Sequence, residues 1–246
     1  MTSELPEKFS DIGKQESFCF SCHPGVPCFT DCCRELDLAL TPYDVLRLKN
    51  HLKLHSGAFL ERYVIIEWDE QAIFPVCYLT MVDDGKASCV FVKPEGCTVY
   101  EDRPGACRAY PVGRGVSRKT EGDIAESFVL VKEDHCRGFE EKTEQTINTY
   151  FDDQELATYN RFNDKMLEIY QHPKVKAGFR PTKDQLEQYI LALYNLDQFR
   201  VEMKRGRFSI KRALTEAEQR GVDGDDELLL ELAIRWVRGI LFNEQG

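Results

Sequence analysis

FCFSCHPGVPCFTDCCR, residues 18–34, is the stretch whose reading decides how the front of this chain folds. Pro24, Gly25 and Pro27 deny it a regular helix or a central strand. Cys19, Cys22, Cys28, Cys32 and Cys33 therefore sit on a loop. Such a loop has little apolar surface of its own to bury, so it needs something to organise it.

Five more cysteines follow: Cys77, Cys89, Cys97, Cys107 and Cys136, with none beyond. In a reducing compartment a cluster of this kind points to metal rather than to disulfides. Zinc and iron–sulfur sites both draw four thiolates from loops distant in sequence. Cys22, Cys28, Cys32, Cys33, Cys89, Cys97, Cys107 and Cys136 supply two such sets, or one bridged two-metal centre. Side chains of adjacent residues diverge, so Cys32 and Cys33 are expected to serve neighbouring metals or neighbouring edges of one cluster. The cofactor is an iron–sulfur cluster or Zn2+, which spacing leaves open. Cys77, inside PVCYL, reads as a small buried hydrophobe. Cys19 stands in C-x2-C spacing to Cys22 and reads equally as ligand or bystander, while His23 and His135 each adjoin a candidate ligand and could replace a thiol.

Eight thiolates around two divalent ions leave about −4, which is costly to bury without compensation. Arg34, Arg103, Arg108 and Arg137 lie beside the candidate ligands and could balance it. For Arg103 and Arg108 the expected role is to pin loop carbonyls and sulfur.

The chain has 246 residues and a formal net charge of −10. That balance repels phosphate backbones, and no Lys/Arg cluster offsets it, so no nucleic-acid partner is expected. With 42% hydrophobic and 30% charged residues the composition is that of a soluble globular chain. MTSELPEKFS lacks the pattern of a signal peptide and no apolar run is long enough to span a bilayer, so the expected location is cytoplasmic, with no membrane partner.

The expected fold class is α+β: a small irregular antiparallel sheet and loops around a Cys-ligated metal centre, then a helical C-terminal part. Residues 1–17 read as a polar arm, 18–140 as a cysteine-rich metal-binding domain and 141–246 as a helical region. Glu35–Leu40 alternates like a short strand. Thr41, Pro42 and Asp44 read as N-cap, first helical residue and first-turn acid, and Ser56 as the cap of a second helix. YVIIEW, AIFPVCYL, ASCVFV, CTVY and AESFVLV read as strands separated by turns at Asp83-Asp84-Gly85-Lys86, Pro94-Glu95-Gly96 and Glu121-Gly122-Asp123. Helices are expected over Asp153–His172, after a capping box at Thr182–Gln185, and over Asp225–Phe242. His51 and His55 lack a third ligand nearby and read as a solvated helix end. The stripes at Tyr159, Phe162, Tyr189 and Tyr194 read as core.

The run C-x5-C-x3-CC, followed by LTPYDVLRLK, CVFV, GCTVYEDRPGACRAYP and HCRG, resembles the cysteine-cluster family of zinc- or iron-chelating domains, also called iron–sulfur-cluster-containing proteins. The resemblance covers about Phe20 to Gly138 and implies a metal ion or cluster as partner. Many relatives open with C-x2-C-x2-CC; here the gaps are longer and Cys19 is additional, so a given ligand position falls to Cys19 or Cys28. The flagellin lysine N-methylases carry a similar array. The resemblance therefore implies two functions: a metal-binding protein whose centre is structural or redox-sensing, with the C-terminal helices presenting a surface to a protein partner, or an S-adenosylmethionine-dependent methyltransferase with Arg103, Arg108 and Tyr110 in its cofactor pocket. No G-x-G-x-x-G after a strand, no H-E-x-x-H and no G-x-S-x-G is present, and Glu35 stands where the C-x3-C-x2-C spacing of radical enzymes needs its third cysteine.

Overall fold

Gly113 and Gly115 permit the principal strand pair of the molecule. Val112–Arg118 runs antiparallel to Ile124–Val131, with Gly113 opposite Val129 and Gly115 opposite Ser127. A Cβ at either glycine would lie 2.8 Å from Val129 Cγ2 or 2.6 Å from Ser127 Oγ, so close approach of the two strands depends on their absence. The computed structural model describes residues 8–69, 71–119, 124–208, 210 and 213–244. Of the sequence expectations, Met1–Glu7 of the arm and the turn at Glu121-Gly122-Asp123 lie outside the described residues. The rest of the arm is more ordered than expected, for Phe9–Asp11 adds a third strand beside Ile124–Val131.

The chain divides into two compact units that are interleaved in sequence. The first comprises residues 1–37 and 81–161, the second 38–80 and 162–246. The α+β expectation holds, but the strands do not gather into one sheet. Among the described residues there is one three-stranded sheet and four two-stranded pairs. In the first unit Ser17–Cys19 pairs with Glu144–Thr146, Met81–Val82 with Ser88–Cys89, and Val92–Lys93 with Gly96–Cys97. Turns recur too often here for longer ladders: Gly85 and Gly96 both take positive φ, where a side chain would be strained. The core of this unit is Ile12, Phe18, Phe20, Val112, Phe128, Leu130, Ile147 and Tyr150, and Tyr110 and Cys136 pack against it.

The second unit is mainly helical. Thr41 caps Pro42–His51 in a reciprocal capping box with Asp44, as the sequence implied. The next helix, Ser56–Tyr63, is capped by His55 rather than Ser56: His55 accepts from the Gly57 N–H. Glu35–Leu40 is no strand. Glu35 takes φ 52°, and only Ala39 bridges, to Tyr78 on Val76–Leu79, which itself pairs with Val64–Glu67. Cys77 on that strand is fully buried. Lys183–Leu193 is capped by Thr182 with Gln185, and Asp226–Phe242 by Asp225. The helix expected over Asp153–His172 is present as Ala157–Tyr170; it starts later because a separate helix, Ile147–Asp153, ends just before it and Glu155 between them takes φ 52°. Among the described residues no helix is long and apolar enough to cross a membrane.

Candidate metal centre

The Pro/Gly loop winds through successive tight turns. Val26 N–H donates to His23 O, Phe29 to Val26, Asp31 to Cys28 and Cys33 to Thr30, at 2.9–3.0 Å. Repeated turns bring Cys28 and Cys32 to one side without helix or strand. Two bonds hold the loop against the end of the cysteine-rich segment: Ser21 N–H to Gly138 O and Phe20 N–H to Thr143 O, both 3.1 Å. Gly138 permits that approach, since a Cβ there would stand 2.6 Å from Phe20 Cε2 and 2.9 Å from Ser21 O.

Between loop and turn lies a cavity of about 10 Å³, room for a single water-sized body. Its walls are Cys22, Cys28, Cys32 and Cys136 together with Phe20, Val26, Tyr110, His135 and Gly138. Cys22 is at the rim, exposed as a residue. Its thiol is nevertheless pushed up to about 11 by burial and by Cys32, Cys28 and Cys136. Cys32 is raised further, by a hydrogen bond to Cys33 and by burial. The Arg137 backbone N–H donates to Cys28 Sγ at 3.1 Å. The crowding of sulfurs that raises Cys22 is the environment in which a cation would favour the thiolate form.

The remaining sequence candidates do not line this cavity. Cys33 is next to Cys32 on the short turn Asp31–Cys33. Cys89 and Cys97 sit in the two small hairpins, where each thiol is raised by burial and Cys89 also by Cys97. Cys107 lies on the short helix Gly105–Ala109. None of the ten cysteines is in a disulfide. His135 lines the cavity, whereas His23 is turned to its own loop, accepting from Gly25 N–H at 3.1 Å. Among the described residues no group of three or more His, Cys, Asp or Glu side chains stands ready to hold an ion. The donors share a space, and closing on an ion requires their side chains to turn inward.

Arg103 and Arg108 are buried and engaged by the backbone. Arg103 donates to Tyr100 O at 2.7 Å and to Gln154 Oε1 at 2.5 Å. Arg108 donates to Arg103 O at 3.2 Å, to Gln154 O at 2.9 Å and to Glu101 O. Arg34 bonds Thr30 O at 2.6 Å and Asp31, and Arg137 pairs with Glu140 at 2.8 Å. Sequence reasoning missed Phe20, Val26 and Gly138 as cavity walls. Their only signal was position, within or beside the cysteine motifs.

No curated protein and no solved structure matches the chain. A family model does, that of CxxCxxCC, described as "Putative zinc- or iron-chelating domain", over residues 21–137. That range holds all four cavity thiols and both segments that carry them, so the part of the chain that is similar to the family is the part that forms the cavity.

Proposed function

We propose that this is a metal-binding protein in which Cys22, Cys28, Cys32 and Cys136 hold one ion, zinc or iron, in a centre that ties the N-terminal loop to the turn around Gly138. The observation that carries this reading is the common cavity of four thiols drawn from segments more than a hundred residues apart. An all-thiol set suits either metal. Four thiols are the full complement of one tetrahedral ion. When bound, the ion would supply cross-linking charge. The chain supplies a Phe20 and Val26 wall that excludes water, and a backbone N–H to one sulfur. The role is structural, because beyond Phe18, Phe20 and Val26 the loop buries little apolar surface and an ion would tie its turns to the Gly138 segment. Arg103 and Arg108, which a methyl-transfer reading would use to grip a carboxylate, are engaged by loop carbonyls, and this weighs toward binding.

The test is anaerobic purification followed by elemental analysis, absorption spectroscopy and hydrogen exchange before and after chelation. The expected result is one zinc or iron per chain, no acid-labile sulfide, and loss of protection in residues 20–33 and 134–140 on chelation, with Asp226–Phe242 unaffected. Acid-labile sulfide in stoichiometric amount overturns the single ion. Protein that binds no metal overturns the function.

A further inference from the structure

Tyr110 Oη is buried and has no hydrogen-bond partner, in a wall of the thiol cavity. A buried phenol normally finds one. The residue is not free to turn away. Its N–H donates to Ala106 O at 3.1 Å, its carbonyl accepts from the Tyr150 hydroxyl, and its ring stands edge-on to Phe20 with centroids 6.1 Å apart. Cys136 lines the same cavity and packs against the same core as Tyr110, and burial followed by the Cys136 thiol raises the phenol above its ordinary value.

We propose that Tyr110 is a positioning residue whose hydroxyl donates a hydrogen bond to the Cys136 thiolate when that sulfur holds the ion. This rests on the metal centre proposed above. A protonated thiol is a weak acceptor, whereas a metal-bound thiolate keeps negative charge and accepts well. A metal-bound Cys136 sulfur would give the buried hydroxyl the acceptor that its place in the cavity wall calls for. The bond would draw charge from Cys136 and hold its side chain toward the ion, as outer partners of metal ligands do.

Cobalt(II) is the probe. Wild-type protein and Tyr110→Phe are each titrated with cobalt(II), and the sulfur-to-cobalt charge-transfer band and the rate of loss to EDTA are recorded. The variant is expected to bind the same single equivalent, with the band at longer wavelength because the thiolate is the better donor, and to release cobalt about tenfold faster. An unchanged band and rate at full stoichiometry overturn the proposal. Should Tyr110→Phe fail to fold, resonance Raman of the wild type decides instead: a cobalt–sulfur stretch that shifts in D2O supports the O–H···S bond, and one that does not shift excludes it. Wild-type protein that takes up no cobalt while folded is a different failure, that of the metal centre itself.

Discussion

The backbone N–H of Arg137 and the sulfur of Cys28 meet at 3.1 Å across 109 residues of sequence. The bond fixes Cys28 beside the turn that carries Cys136, so the two segments that bear these thiols are held together by the backbone.

Cys28→Ser, Cys32→Ser and Cys136→Ser are each expected to bring metal content per chain close to zero, whereas Cys89→Ser and Cys97→Ser leave it unchanged. Inductively coupled plasma mass spectrometry of the five purified variants reads this directly. Equal loss in the hairpin variants would widen the centre to the eight-thiol set.

Gly138→Ala pushes a methyl group into Phe20 and the Ser21 carbonyl. Forcing a group into a packed site costs about 1–3 kcal/mol. The expected outcome is a lower melting temperature and faster metal extraction by a chelator, both returning toward wild type in Gly138→Ala combined with Phe20→Leu, which removes the opposing ring.

Lys49 is buried and donates to Asp226 at 2.8 Å and to Asp197 at 3.2 Å, while Arg200 reaches both carboxylates. Burial alone would raise the two carboxyls. The Ser56 N–H and Lys49 on Asp197, and Lys49, Arg200 and Asn50 on Asp226, outweigh it and hold both below the ordinary value. A depressed carboxyl stabilises the fold above its unfolded value, about 3.9, and that contribution is lost as pH falls through the folded value. Thermal melts should therefore be level from neutral pH to about pH 5 and fall below about pH 4. Lys49→Met leaves two half-buried carboxylates to Arg200 and should cost about 1–3 kcal/mol at neutral pH, with a shallower acid limb.

Burial pushes the Cys77 thiol up to about 12. At pH 8 in the folded protein Cys77 is expected to resist iodoacetamide, while the exposed Cys19 is alkylated within minutes. Peptide mass mapping distinguishes the two, and rapid modification of Cys77 would mean that the strand Val76–Leu79 opens.

Local chemistry was legible along the chain. The Thr41 and Thr182 caps, the helices that follow them and the burial of Cys77 each depend on neighbours within a few residues, so spacing alone carries them. The strand Val112–Arg118 was not legible, because its glycines read as breakers until the partner strand explains them. The helix Ile147–Asp153 and the left-handed Glu155 that separates it from Ala157–Tyr170 were likewise hidden, since no glycine or proline marks the break.

For the candidate centre, the sequence by itself determined the donor type, the loop that carries most of the donors and the likeness of residues 21–137 to a metal-chelating family. Only the tertiary structure decided which thiols share a space. Residue spacing constrains sulfurs on one turn, but the meeting of Cys28 with the segment of Cys136 depends on the Ser21–Gly138 and Phe20–Thr143 bonds and on a core of Phe18, Phe20 and Tyr150. Those are long-range contacts, and no local pattern encodes their register.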